Sequence, residues 1–153
     1  MRVFVAGIMQ GSMQDRSLHR QDYRRRIREA IQVHHPEAEI VDPFSLFPDS
    51  AEFDDAQAKE VLFQLAAEAA ASDLVIAFLP QASMGTALEM IRAYDNGKPI
   101  VTITPMENNW LIRAMSAEIL PSLEAFDSWA SQADLSNLID PPESWAESEG
   151  RNP

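Results

Sequence analysis

Residues 72–89 read SDLVIAFLPQASMGTALE. Six consecutive apolar residues, 74–79, stand between Ser72-Asp73 and Pro80. A run that is short and apolar at every position predicts a strand covered on both faces. After a loop over 80–84, Gly85 opens a helix-forming stretch that runs to Asn96 and closes at Gly97, a C′ glycine. A buried strand, a short loop and a helix make up the larger part of a parallel βαβ unit.

The same rhythm recurs on both sides. Residues 2–8 (RVFVAGI) predict a first buried strand, and the loop after it carries Gly7 and Gly11. Asp15 or Ser17 is placed to cap a helix running to about Val33, with Tyr23, Ile27, Ala30 and Ile31 on its apolar face and Pro36 as its stop. Residues 38–41 predict a second strand, closed by Asp42-Pro43. A polar loop over 45–55 precedes an Ala-rich helix over 56–72. Beyond Gly97, residues 99–104 predict the fourth strand and 107–119 a helix. A fifth strand is expected at 123–127 and a last helix at 132–139. From residue 140 the prolines and acids predict a frayed tail, so the domain is expected over 1–139 and the acidic tail over 140–153. Right-handed crossovers then favour an α/β, flavodoxin-like, doubly wound sheet of five parallel strands in the order 2-1-3-4-5. In such sheets ligands sit beyond the carboxyl ends of the strands, here the loops at 7–14 and 80–85.

Composition narrows the chemistry. The 153 residues hold 24 acidic and 12 basic side chains, a formal charge of −12. That balance argues against nucleic-acid or anionic-membrane partners, which need a basic surface. No cysteine is present, which excludes disulfides, zinc-thiolate sites, iron–sulfur clusters and a thiol nucleophile. No apolar run approaches the ~20 residues that span a bilayer. Residues 1–9 read as a strand rather than a secretory signal, so a cytoplasmic protein is expected. Charge is unevenly placed: six of the twelve bases, all arginine, fall between Arg16 and Arg28.

Four segments carry candidate chemistry. In 83–89, Ser83 supplies a hydroxyl, Gly85 allows close approach to the backbone, and Glu89 is expected in the first helical turn. The competing reading is a capping box, Thr86-x-x-Glu89, with Glu89 serving the helix dipole. The loop over 7–15 lacks both the GxGxxG spacing and a Walker A sequence. Arg16, Arg20, Arg24 and Arg28 recur every four residues and form one row on the helix. For Arg24 and Arg28 the favoured reading is a solvated face or pairing with acids of this or a neighbouring subunit. Arg16 and Arg20, nearer the first loop, stay open as anion-attracting groups. Trp110 and Arg113 mark the fourth segment. His19, His34 and His35 lack metal-ligand spacing, and no metal site is expected.

Residues 6–18 (AGIMQGSMQDRSL), 72–89 and 93–99 (AYDNGKP) together resemble the nucleoside 2-deoxyribosyltransferase family. Within it they are closest in pattern to the 2′-deoxynucleoside 5′-monophosphate N-glycosidases. The resemblance covers about residues 3–130 and implies a flavodoxin-like domain needing no cofactor. It implies a nucleoside or nucleotide substrate and sites completed by a neighbour in a homodimer or larger homo-oligomer. It implies that Glu89 is the nucleophile, attacking C1′ to form a glycosyl ester that water or a second base resolves. The helix N-terminus is expected to keep that carboxylate ionised.

The same resemblance implies substrate contacts from Gly7, Ile8, Gln10, Gly11, Ser83 and Gly85. Arg113 would meet a phosphate from the neighbouring subunit. Ser83 stands where the nucleoside transferases place an Asp for the 5′-hydroxyl and the monophosphate glycosidases a Ser. A hydroxyl donates to a phosphate that a carboxylate would repel. Some positions depart from the pattern. Gln10 replaces an Arg, Ile8 a Ser, Leu65 an Asp that moves protons at the leaving base, and Phe4 a Tyr that orients the nucleophile; Glu68, one turn from Leu65, would substitute only in a rotated or shifted helix.

Gly85-Thr-x-x-Glu89 also resembles part of the GGxGTxxE motif of cytokinin-type phosphoribohydrolases, with Ala82 and Ser83 in place of its first glycines. A phospho-receiver domain is disfavoured, since Gly7 and Pro80 stand where receivers need acids. Two functional readings follow: an N-glycosidic-bond enzyme using Glu89, or a nucleotide-binding or sensing module on the same fold with impaired catalysis.

Overall fold

The computed structural model describes residues 1–10 and 18–140. Five strands, β1 (Arg2–Gly7), β2 (Glu39–Val41), β3 (Leu74–Phe78), β4 (Ile100–Ile103) and β5 (Glu118–Leu120), form one sheet in the order β2-β1-β3-β4-β5. Every pairing is parallel. The helices are α1 (Asp22–His34), α2 (Pro43–Leu46), α3 (Asp55–Ala71), α4 (Met84–Asp95), α5 (Trp110–Met115), α6 (Leu123–Ala130) and α7 (Leu135–Ile139), with one 3₁₀ turn at Ser50–Glu52.

The sheet is apolar on both faces because helices cover both. Val3 and Val5 of β1, Leu74 and Ile76 of β3, and Val101 and Ile103 of β4 pack with Tyr23, Ile27 and Ile31 of α1, Phe126 of α6 and Leu135 of α7. The alternate residues Phe4, Ala6, Val75, Ala77 and Ile100 pack with Leu65 and Ala69 of α3, Met90 and Ala93 of α4, and Ile112 of α5. The period of two along each strand thus sorts one apolar sequence into two cores.

Four expectations are corrected. The fifth strand is at Glu118–Leu120, and the residues expected to form it begin α6 instead. Ser122 caps that helix, its Oγ accepting from Ala125 N–H at 3.2 Å. The helix expected over 107–119 is only Trp110–Met115, because Asn109 starts it by accepting from the N–H groups of Leu111 and Ile112. In α1, the first residue is Asp22 and the N-cap is Gln21; Asp15 and Ser17 lie outside the described residues. The short α2 takes in the start of the polar loop expected over 45–55. Asp42 caps it through Phe44 N–H at 3.1 Å and Pro43 occupies its first position, where a missing N–H costs nothing. Asp140 closes α7, and the rest of the expected tail lies outside the described residues.

Candidate active site

Glu89 is built into the second turn of α4, not the first. Ser83 is the N-cap, its Oγ accepting from Thr86 N–H at 3.4 Å and from Thr86 Oγ1–H at 3.1 Å. The Thr86–Glu89 capping box therefore does not form. Glu89 is 6% exposed, and its carboxylate has no hydrogen bond or ion pair among the described residues. Burial pushes its pKa up to about 8, while the positive charge of Arg24 pulls the other way. Glu89 is the sixth residue of α4, past the first turn in which the helix dipole acts most strongly, so the expected protection of its ionised form is weakened.

The strand-1 end is shaped by α1. A Cβ on Gly7 would lie 2.8 Å from Cε2 and Cζ of Tyr23, so the glycine makes room for that ring. Tyr23 packs on Phe78 with centroids 4.4 Å apart, and its hydroxyl donates to the Ile8 carbonyl at 3.1 Å. Burial raises the Tyr23 hydroxyl well above the ordinary phenol range, Arg24 opposes this, and the charges of Glu89 and Asp42 add to it. Ile8 is buried. Gly11 and Arg16 lie outside the described residues.

Next to this edge is a cavity of about 410 Å³. Its walls include Gln10, Phe47, Phe53, Leu62 and Leu65, but not Glu89. Leu62 links the two: its Cδ1 would lie 4.0 Å from a Cβ on Gly85, one turn before Glu89. Nothing else crowds Gly85, so its missing side chain leaves open space. The Ser50 hydroxyl, also in the wall, is shielded from solvent without a hydrogen-bond partner. His19 reaches across the edge, its Nε2 3.0 Å from the amide nitrogen of Gln81. Arg113 is not brought to Glu89. It is exposed on α5, beside Trp110 and Ala114 around a separate hollow of about 300 Å³.

The arginine row divides. Arg24 and Arg28 both pair with Asp42, at 3.1 and 2.8 Å, as the reading of pairing within the subunit anticipates. Arg24 is 3% exposed, which rules out the solvated face for it. Arg20 is exposed and bonds Asp22. Glu68 cannot stand in for the acid replaced by Leu65, because Arg2 holds it at 2.6 Å at the opposite end of β1. The buried group of Tyr23, Arg24 and Asp42 escaped notice as a unit in the sequence. Its signal was present: an apolar-face Tyr followed by a basic residue on the same helix, and an acid closing the second strand. Among the described residues, no group of three His, Asp or Glu is placed to hold a metal.

No family model matches this chain, and no curated protein matches it in sequence. Solved structures do share its fold. A 2-deoxyribosyltransferase from Bacillus psychrosaccharolyticus is similar over 90% of this chain and 96% of its own, with a TM-score of 0.63 and 15% identity. A conserved protein from Enterococcus faecalis is similar over 86% of this chain and 98% of its own, with a TM-score of 0.60 and 19% identity. The CMP N-glycosidase BcmB of Clostridium botulinum is similar over 86% of this chain and 98% of its own, with a TM-score of 0.51 and 23% identity. The chain thus has the five-stranded parallel fold found in a 2-deoxyribosyltransferase and an N-glycosidase.

Proposed function

We propose that the protein is an enzyme that cleaves or transfers the N-glycosidic bond of a nucleoside or its 5′-monophosphate, with Glu89 as nucleophile. The observation that carries this reading is a buried carboxylate, free of hydrogen bonds among the described residues, on the helix after β3. Buried carboxylates are costly and are kept where chemistry uses them. The fold shared with a deoxyribosyltransferase and a CMP N-glycosidase supports the same bond as the target.

In the first step a Glu89 oxygen bonds to C1′ as the C1′–N bond breaks. The bonding pair leaves with the base, which takes a proton from solvent. Water then attacks the ester and releases free sugar, or a second base attacks and gives a new nucleoside. The Ser83 Oγ accepts two bonds from Thr86 and keeps its own hydrogen to donate to a 5′-phosphate, beside the free N–H groups at the start of α4. Arg113 would serve a site of a second copy. The apolar residues exposed on α3, α4 and α5, Phe63, Met84, Tyr94 and Trp110, are the face on which that copy would sit.

Purified protein incubated with a panel of ribo- and deoxyribonucleosides and their monophosphates should release free base. Glu89→Gln should reduce release by at least about 10³-fold, the usual scale for losing a nucleophile. No release from any member of the panel would sink the proposal. The second reading, a nucleotide-binding module without turnover, draws on Leu65 in the cavity wall and fully buried Phe4, both apolar where the resemblance calls for polar groups. Calorimetric binding of a nucleotide with no base release would favour it.

A further inference from the structure

The loops after β1 and β3 leave neighbouring strands for opposite faces of the sheet. β1 and β3 pair in parallel up to Gly7 and Phe78. From there the chain after β1 leads to α1 on one face, and the chain after β3 to α4 on the other. Loops that part in this way open a crevice at the carboxyl ends of the strands, where ligands of open α/β sheets bind. Backbone pairing reaches as far as Ile8, whose N–H donates to the Phe78 carbonyl at 3.4 Å. Beyond it side chains bridge the two loops: the Gln81 amide N–H donates to Nε2 of a neutral His19 at 3.0 Å. With the amide turned over, its oxygen would accept from a protonated ring, so both charge states of His19 keep the bridge.

His19 is the fixed end of the bridge. Its backbone N–H donates to the Met9 carbonyl at 2.7 Å, and its carbonyl accepts from Gln21 Nε2 at 2.6 Å. The same Gln21 amide donates to the Ile8 carbonyl at 3.1 Å, beside the Tyr23 hydroxyl. β2 pairs with β1 as far as Phe4, and in the gap past it the Arg24 guanidinium donates to the Val5 and Gly7 carbonyls at 2.7 and 3.1 Å. The carboxyl end of β1 is thus pinned, carbonyl by carbonyl, to the start of α1. Gln81 is the end that needs fixing. Residues 79–83 are loop, and Gln81 stands two residues before Ser83, the N-cap of α4.

We propose that His19 and Gln81 are positioning residues that set the span between the two loops, and that this span selects a 5′-monophosphate over the free nucleoside. That role rests on the nucleotide reading above. Under it a monophosphate engages both loops, with sugar and base against the β1 loop and the phosphate at Ser83 and the N–H groups that open α4. A free nucleoside has no phosphate to hold at the second loop. Glu89 depends less on the bridge than Ser83 does, because Met90 and Ala93 seat the body of α4 in the core while its start follows the loop. Loss of the bridge therefore moves the phosphate contact and spares the nucleophile.

The test is a double-variant cycle in the full chain: His19→Ala, Gln81→Ala and the two together. AMP, GMP, CMP, UMP and their deoxy forms are set against the matching free nucleosides. Base release gives kcat and KM, and calorimetry gives Kd alongside. Each single variant should raise KM and Kd for a monophosphate about 5–10-fold, the scale of one net hydrogen bond, with kcat and the nucleoside constants within about twofold of wild type. The double variant should lose no more than either single, because both remove the same bond. His19→Gln, which puts an amide where the imidazole nitrogen stood, should restore the monophosphate constants. A packing defect would weaken both kinds of ligand alike and would not be restored. Equal losses for monophosphate and nucleoside, no loss for either, or losses that multiply in the double variant overturn the proposal. Selective loss of monophosphate binding in a protein that releases no base would retain the bridge and reject the proposed reaction. Base release with unchanged selectivity would do the reverse, and a protein that binds neither kind of ligand would overturn both.

Discussion

A carboxyl group that folding pushes up to about pH 8 makes two demands at once. The nucleophile must be ionised, so kcat/KM for base release should climb with pH and level off above about 8, read from a pH–rate profile. Stability runs the opposite way. In the unfolded chain Glu89 loses its proton near 4.5, in the folded chain near 8. Its protonated form therefore contributes in full below about pH 4.5, and that contribution is lost as pH rises through about 8. Glu89→Gln should accordingly be more stable than wild type at pH 8.5, by about 1–3 kcal/mol, with a smaller gain at pH 5, measured by urea unfolding. Gly7→Ala tests the neighbouring claim. The added methyl meets the Tyr23 ring and should cost about 1–3 kcal/mol, the usual range for overpacking a core. Glu89 itself could be singled out from its motif, but its missing partners could not. Whether a Glu is capped, paired or isolated depends on chain segments far away in sequence.

The long helices α3 and α4 were more readable than the short strands. Asp54 caps α3 with a reciprocal box, its carboxylate accepting from Gln57 N–H at 2.8 Å and Gln57 Oε1 accepting from Asp54 N–H at 3.1 Å. Asp54→Ala should cost about 1 kcal/mol in thermal or chemical unfolding without changing base release. The fifth strand shows the converse. Glu118–Leu120 is three residues long and carries an exposed acid, so no local pattern marks it. It is a strand because β4 offers an edge, with Val101, Thr102 and Ile103 paired to it. Thr102 and Ser116 join hydroxyls at 2.7 Å just before it, steering the chain onto that edge. Residues 123–127 look as apolar as a strand, but Pro121 and the Ser122 cap turn them into α6.

At the scale of the molecule, the helix layer formed by α3, α4 and α5 is unevenly finished. Trp110 is 87% exposed and Met84 85%, with Tyr94 and Phe63 about half so. These side chains make up the face proposed above for a second copy. Sedimentation equilibrium should find the protein self-associated, and Trp110→Glu should shift it toward monomer while leaving the fold intact by circular dichroism. If Arg113 serves a neighbour's site, the same variant should also lose base release. Among the described residues, no helix is long and apolar enough to cross a membrane.

Short-range pattern was enough for the alternation of strands and helices, the order of the sheet and the position of Glu89 after its third strand. The alternation and the place of Glu89 follow from which residues are apolar at spacings of two or of three and four, which is local, and the strand order from the right-handed crossover rule applied to that alternation. Folding was needed to put Arg24 into the gap beside β1, to split Asp42 between two arginines and to strip Glu89 of water. Those outcomes join α1, β2 and α4, segments up to about 65 residues apart. Electrostatics in a low-dielectric interior depends on distances through space, which spacing along the chain does not encode.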